Sequence, residues 1–355
     1  DSDCHSMPIY MLLRGGYYPS FGKPHDGIGF APSMIDHGHG STGICGPAYY
    51  GADHFPEGHR GSMYICNPVN GVVHHDRLKQ VGSTFLIDTQ PDIVTCDDGW
   101  FRPVDLTVGP DGALYIADFY NCIIGHYEEP LDHPRRDRFH GRVWRVVYKG
   151  EDGKTVPRPL LDMTKYKTDE LVRELGNSNL TVRTCATNWL VDAVQAAPAA
   201  QRDQLRFATC AAVRTALNSD HSCEEQRAHS LWVLERLDGL NSQDRIRLKE
   251  DPSPLVRTHL VRAFAERSQW NPLDFTELRD FLKDDNAIVR RVAADALGRH
   301  PQSGNVSGLI HLIEETSAED THLMYVARMA LRDQLRDESV LMGLNQAGFE
   351  ESHMR

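Results

Sequence analysis

The stretch WFRPVDLTVGPDGALYIADFYNCIIGHYEEPLDHPRRDRFHGRVWRVVY, residues 100–148, decides how the chain is read. Residues 104–108 and 114–118 run apolar or alternate in β-branched and aromatic residues, the pattern of strands that bury at least one face. Between them Gly109-Pro110-Asp111-Gly112 supplies the backbone angles of a tight strand-to-strand turn. Residues 141–148 read as a further strand, with Val143, Arg145 and Val147 on one face and Trp144 and Val146 on the other. Strand, PDG turn, strand ending in Asp, and closing strand make the rhythm of one β-propeller blade.

Working outward from that blade, strands at 43–50, 62–67, 71–78 and 83–89 form a second one, with Pro56, Asn70-Gly71 and Gly82 at or beside its turns. Each blade then takes about 45–50 residues, the usual length for four strands. Residues 1–40 read as the end of a preceding blade and a loop rich in Gly, Pro and His. A ring closes with about four or more blades, so residues 1–148 predict a partial propeller of about two to three blades. An open arc leaves strand edges and apolar faces uncovered. Asp1, in place of an initiator methionine, predicts that the chain starts inside a longer product with further blades upstream.

A polar, glycine-punctuated bridge, Lys149-Gly150-Glu151-Asp152-Gly153-Lys154, opens a linker over 149–167. From 168 to 348 the composition turns to Leu, Ala, Arg, Asp and Glu at helical spacing, before a tail at 349–355. Asn179-Leu180-Thr181-Val182-Arg183 recurs as Ser253-Pro254-Leu255-Val256-Arg257 and as Asn286-Ala287-Ile288-Val289-Arg290, with weaker echoes at Arg227 and Arg328. The five arginines are 44, 30, 33 and 38 residues apart, which suits repeating helix pairs. The short polar residue is expected to cap the second helix of a pair, the Val to pack between helices and the Arg to lie along the ridge. The fold class that follows is mainly β in the first part and an all-α HEAT/armadillo-like solenoid in the second.

A net charge of −12 and an isoelectric point near 5.8 argue against a nucleic-acid surface. No apolar run reaches the length of a membrane span. The eight cysteines lack any CxxC pairing and read as small buried hydrophobes rather than a disulfide framework. Asp1-Ser2-Asp3-Cys4-His5 is one residue short of CxxCH, so no c-type haem site is expected in this chain. Walker, G-x-G-x-x-G, G-x-S-x-G and H-E-x-x-H patterns are missing, which leaves nucleotide-binding and hydrolase readings without a starting point.

Several long motifs carry a resemblance. They include YYPSFGKPHDGIGFAP and HGHGSTG within residues 1–43, FPEGHRGSMYICNPVNGVVHHDRL at 55–78, CDDGWFRPVDLTVGPDGALYIADFYN at 96–121 and IIGHYEEPLDHPRRDR at 123–138. Residues 1–148 closely, and 168–335 more loosely, resemble the large exported membrane-bound dehydrogenase-like and haem-binding CxxCH proteins of planctomycetes and their relatives. The resemblance implies a propeller similar to glucose/sorbosone dehydrogenases, then HEAT-like repeats, and often a cytochrome c domain. It implies oxidation of a sugar or polyol hydroxyl with pyrroloquinoline quinone and Ca²⁺, electrons passing to a quinone or to a cytochrome c domain or protein, and a periplasmic or exported location. The early blades that hold the catalytic His, and the cytochrome domain, are not in this chain, so its isolated activity is expected to be absent. The other functional class open to it is a non-catalytic binding and assembly module.

The resemblance also places site residues. Arg102-Pro103-Val104-Asp105-Leu106 stands where the dehydrogenases carry R-x-R-D-V, keeping the first Arg and replacing the second by Val104. Arg102 thereby becomes a candidate for the quinone's polar groups; an ion pair with Asp105 or Asp118 inside the blade is the other reading. Asp118 and Asn121, at a strand end, are candidates for Ca²⁺ or cofactor, or for holding the next turn. His37 and His39, two apart on an extended segment, point to one side and are candidates for metal binding or proton relay. His126 joins Arg102, Asp105, Asp118 and Asn121 in the expected cofactor set, and His5, His25 and His54 are further histidines that folding can bring near the pair.

Overall fold

A computed structural model describes residues 8–18, 29–36, 39, 43–124 and 129–346. A two-stranded ladder and two larger antiparallel sheets precede eleven α-helices among these residues. A short ladder, β1 (Pro8–Ile9) with β2 (Ile35–Asp36), comes first. The four-stranded sheet follows as a meander of β3 (Cys45–Tyr49), β4 (Ser62–Asn67), β5 (Val72–Val81) and β6 (Thr84–Thr95). The second sheet holds β7 (Pro103–Val108), β8 (Leu114–Asp118) and β9 (Arg142–Val146). Strand positions expected from alternation are all occupied by strands; β5 and β6 run longer than the sequence pattern suggests, because their outer ends project as a hairpin.

Period-two alternation divides β4 between two cores. Tyr64 and Cys66 pack with Tyr50, Phe101, Leu106 and Ile116 between the two sheets. Met63 and Ile65 face the opposite way, onto Ile35 and its neighbours Ile9 and Met34. Every residue of β4 is consequently buried. Gly46 allows the sheets to approach: its φ is +54°, and a Cβ there would lie 2.5 Å from the Asp105 Cα.

The helices stack as pairs. The row facing the sheets is α2 (Leu180–Ala196), α4 (Glu224–Arg236), α6 (Pro254–Glu266), α8 (Ala287–Gly298) and α10 (Thr321–Leu335), each packed on the next. Behind it lie α1 (Thr168–Glu174), α3 (Ala199–Leu217), α5 (Ser242–Lys249), α7 (Pro272–Asp280), α9 (Ser303–Glu315) and α11 (Glu338–Gln346). This is a helical solenoid with one long apolar core and a smaller cluster of Val306, Val340 and Leu344 at its far end. Asn179 and Asn286 cap their helices as expected, whereas Ser253 makes no side-chain cap bond; Val182, Val256 and Val289 are buried between helices.

The expected place of the repeat arginines needs correction. Arg183, Arg227, Arg257 and Arg290 do not lie along a ridge; each folds back onto a carbonyl five or six residues earlier, at Asn177, Ser222, Asp251 and Asp284. Arg227 also grips Asp251, and Arg257 grips Asp284, so these two repeats are each bound to the next. A guanidinium carries five donors, enough to serve its own loop and the following one together. The rear helices use a parallel device, Arg214 to Asp244 and Arg245 to Asp274, where both aspartates complete capping boxes. Arg257→Ala is expected to lower stability by about 2 kcal/mol, since it strands the largely buried Asp284 carboxylate; urea denaturation would measure it.

Sheets and solenoid are tied directly. The Gly109-Pro110-Asp111-Gly112 turn offers the carbonyls of Val108 and Gly109 to Thr181 Oγ1 and Asn179 Nδ2. The β5–β6 hairpin tip reaches α8 and α10, where Ser83 donates to Asp320 and its carbonyl accepts from Arg291 Nε. Residues 11–16 also lie on the facing row, with Leu13 entering the solenoid core.

Candidate functional site

Asp118 ends β8 and is almost fully buried. Its Oδ1 accepts the backbone N–H groups of Arg102 and Tyr120, and its Oδ2 accepts from Arg142 Nε and the Trp144 indole. Burial alone would raise its pKa, but these four donors outweigh it and hold the carboxyl below its ordinary range. Arg102 sends its guanidinium to the carbonyls of Asn121, Cys122 and Phe101. Asn121 donates to the Asp137 carbonyl and accepts from Ile123 N–H. Arg102, Asp118 and Asn121 are therefore brought together, as one network that fixes the loop after β8. Their polar atoms are met within the second sheet, so these three do not supply the open donor set that a quinone or Ca²⁺ requires. Asp105 sits apart on β7, exposed and close to Gly46. His126 lies outside the described residues.

On the outward face of the first sheet a second polar group forms, and His39 is in it. Its Nε2 lies 2.9 Å from Asp76 Oδ2, and its ring stacks on His74 at 3.9 Å between centroids. His74 Nδ1 is 2.7 Å from Asp92 Oδ1, and its Nε2 is 3.2 Å from Asn67 Nδ2. If the Asn67 amide donates there, His74 carries its proton on Nδ1 and gives it to Asp92. Asp76 is fully buried, and its second oxygen has no hydrogen-bond partner among the described residues. Alternation along β5 places His74 and Asp76 on this face beside Met63 and Ile65 of β4. Burial lowers the pKa of His74 against the pull of Asp92.

The other face of β5 carries His75, stacked on His59 at 4.7 Å and hydrogen-bonded to Ser62 Oγ. His59 Nδ1 meets the Tyr64 hydroxyl at 2.7 Å. Burial, then the neighbouring His59 and Arg77, push His75 down to about 4. His54 is elsewhere again, accepting Tyr148 N–H. His37, His5 and His25 lie outside the described residues. No group of three or more His, Cys, Asp or Glu side chains is arranged to hold a metal ion among the described residues.

Sequence reasoning picked His39 but missed its companions His74, Asp76 and Asp92. The signal was present as Val72-Val73-His74-His75-Asp76, a strand in which polar residues occupy positions that alternation sends inward. The seven described cysteines are free thiols; Cys66 and Cys210 are buried, whereas Cys223 is exposed.

A domain of unknown function, DUF7133, matches residues 21–150. No curated protein matches the chain. Among solved structures, a computationally designed armadillo repeat protein for modular peptide recognition is 15% identical, covering 51% of this chain and 88% of that one, with a TM-score of 0.31. Another designed armadillo repeat protein is 13% identical over 51% and 88% of the two chains, with a TM-score of 0.33. A third, in complex with the peptide (KR)4, is 14% identical over 53% and 95%, with a TM-score of 0.31.

Proposed function

We propose that this chain acts as a non-catalytic binding and assembly module in which a partial β-propeller is clasped by a HEAT/armadillo-like solenoid. The propeller reading is supported by consecutive antiparallel meanders stacked face to face, with β4 buried on both sides. One observation carries the functional reading: Arg102, Asp118 and Asn121 satisfy one another and their own loop, whereas the solenoid lines an open cavity with charged side chains. Broad faces of this kind bind without catalysing.

A second reading is favoured by the buried His39–Asp76 pair. In it the chain is part of an exported, periplasmic dehydrogenase of the planctomycete type, oxidising a sugar or polyol hydroxyl, with electrons leaving to a quinone or to a cytochrome c domain or protein. A carboxylate that holds an imidazole has the composition of a general base. The test is to add pyrroloquinoline quinone and Ca²⁺ to a full-length parent protein that contains this chain and follow dye reduction with aldoses and polyols, together with melting temperature. No turnover and no quinone-dependent shift are expected. Turnover that disappears in His39→Asn would replace the module reading with the dehydrogenase one.

A further inference from the structure

We propose that the cavity of about 560 Å³ between residues 12–14 and helices α4, α6, α8 and α10 binds a small organic anion, whose phosphate or carboxylate groups are gripped by guanidinium groups while its body rests on an apolar wall. The site lies in the solenoid and stands whether or not the sheets are catalytic.

The repeat itself builds the cavity. Trp232, Arg262 and Asp295 each lie five residues beyond the repeat arginine of their helix, and Arg236, Glu266 and Arg299 lie nine beyond. Equivalent positions on stacked helices line up at interaxial distances of about 8–10 Å, so these side chains form two parallel rows across one surface. Leu12, Ala265, Val292 and Val326 supply the apolar wall, and Arg14 closes the cavity from the opposite side.

The charges in it do not cancel. Glu235 is held by both arms of Arg267. Glu266 and Asp295 both turn to Arg299. Arg14, Arg236, Arg262 and Arg291 are left with no carboxylate partner within ion-pair distance among the described residues. Arg236 rests on Asn188 and over the Trp232 ring. Arg291 is 8% exposed, and its Nε meets a backbone carbonyl, that of Ser83, in place of an acid. Burial, then the neighbouring Arg262, bring Arg291 down to about 10, so it is still charged at neutral pH. Burial raises Asp295, while the guanidinium groups of Arg299, Arg14, Arg291 and Arg262 pull it the other way. In a chain of net charge −12, four unpaired guanidiniums around one cavity are a concentration of positive charge that only an anion neutralises. The volume is that of a small-molecule site.

Isothermal titration of the full chain with pyrophosphate and with citrate, at ionic strength held constant with sodium chloride, tests this. Saturable binding of at least one anion is expected, weakened tenfold or more in Arg262→Ala and in Arg14→Ala and partly retained in Arg262→Lys. Both side chains are exposed, so the alanine variants should melt within a degree or two of the parent, which circular dichroism checks. The absence of saturable heat with both anions, or affinity unchanged in both alanine variants, would overturn the proposal. A glutamate-rich octapeptide is the comparison arm: if it binds where pyrophosphate and citrate do not, the small-anion assignment is wrong.

Discussion

Asp118→Ala is expected to destabilise the chain by about 3–5 kcal/mol, enough to leave much of it unfolded or insoluble at 37 °C. The substitution removes an acceptor from four donors together: two backbone N–H groups, the Arg142 guanidinium and the Trp144 indole. Donors left unpaired in a buried site incur their full desolvation cost, which exceeds the net worth of the bonds themselves. Asp118→Asn keeps the shape and one acceptor oxygen, so about half the loss is expected. Denaturant titration followed by tryptophan fluorescence measures both, since Trp144 touches the site and Trp100 stacks on Tyr120 beside it. A loss under 1 kcal/mol for the alanine variant would show that the network does not hold the second sheet.

The second large effect is on acidification. His229 on α4 and His259 on α6 are both pushed down to about 4, by burial first and then by nearby guanidinium groups, Arg183 and Arg262 respectively. Unfolded, each regains a pKa near 6.5. Between those values the unfolded chain binds more protons than the folded one, so stability rises with pH there. Their contribution is therefore complete above pH 6.5, declines as pH falls toward 4, and is flat below that. Each histidine contributes about 3 kcal/mol across this window, and His75 acts in the same direction. The depressed aspartates, Asp118 among them, lose their contribution only at lower pH, so the two groups separate along the pH axis. Denaturation midpoints at pH 7, 5.5 and 4.5 should fall steadily, with a shallower fall in His229→Gln and His259→Gln. Equal midpoints across that range would contradict neutral, buried imidazoles.

Local periodicity made the strands readable, because the two faces of 62–67 are buried against different cores and alternation in 104–108 separates buried Leu106 and Val108 from exposed Asp105 and Thr107. The solenoid was readable for a related reason: the Val-Arg signature repeats at intervals a helix pair requires, and Val182, Val256 and Val289 occupy the same buried position. What the arginines do was not readable from five-residue signatures. Their partners lie in loops before the signature and in the following repeat, Asp251 for Arg227 and Asp284 for Arg257. An Asn or Asp six residues ahead of Arg183, Arg257 and Arg290 was the missing part of the motif. The candidate site shows the same division. The grouping of Arg102, Asp118 and Asn121 follows from one strand end and its loop, so nearness in sequence revealed it. His39 meets Asp76 only because β4 and β5 carry the partner into place, and no local pattern encodes that contact.

The hairpin tip at Gly82–Ser83 has a consequence for how the molecule transmits load. A Cβ at Gly82 would collide with the Asp320 carboxylate at 2.6 Å, so the tip seats against α10 with no room for a larger residue. Together with the clasp of Asn179 and Thr181 on the 108–109 turn, this pins the sheets near both ends of the helical arc. Bending the arc must then either strain the β5–β6 ribbon or tear the peg from its socket. The ribbon is thus a brace, and the spring-like compliance expected of a free helical array is curbed here by a strut made from the other half of the same chain.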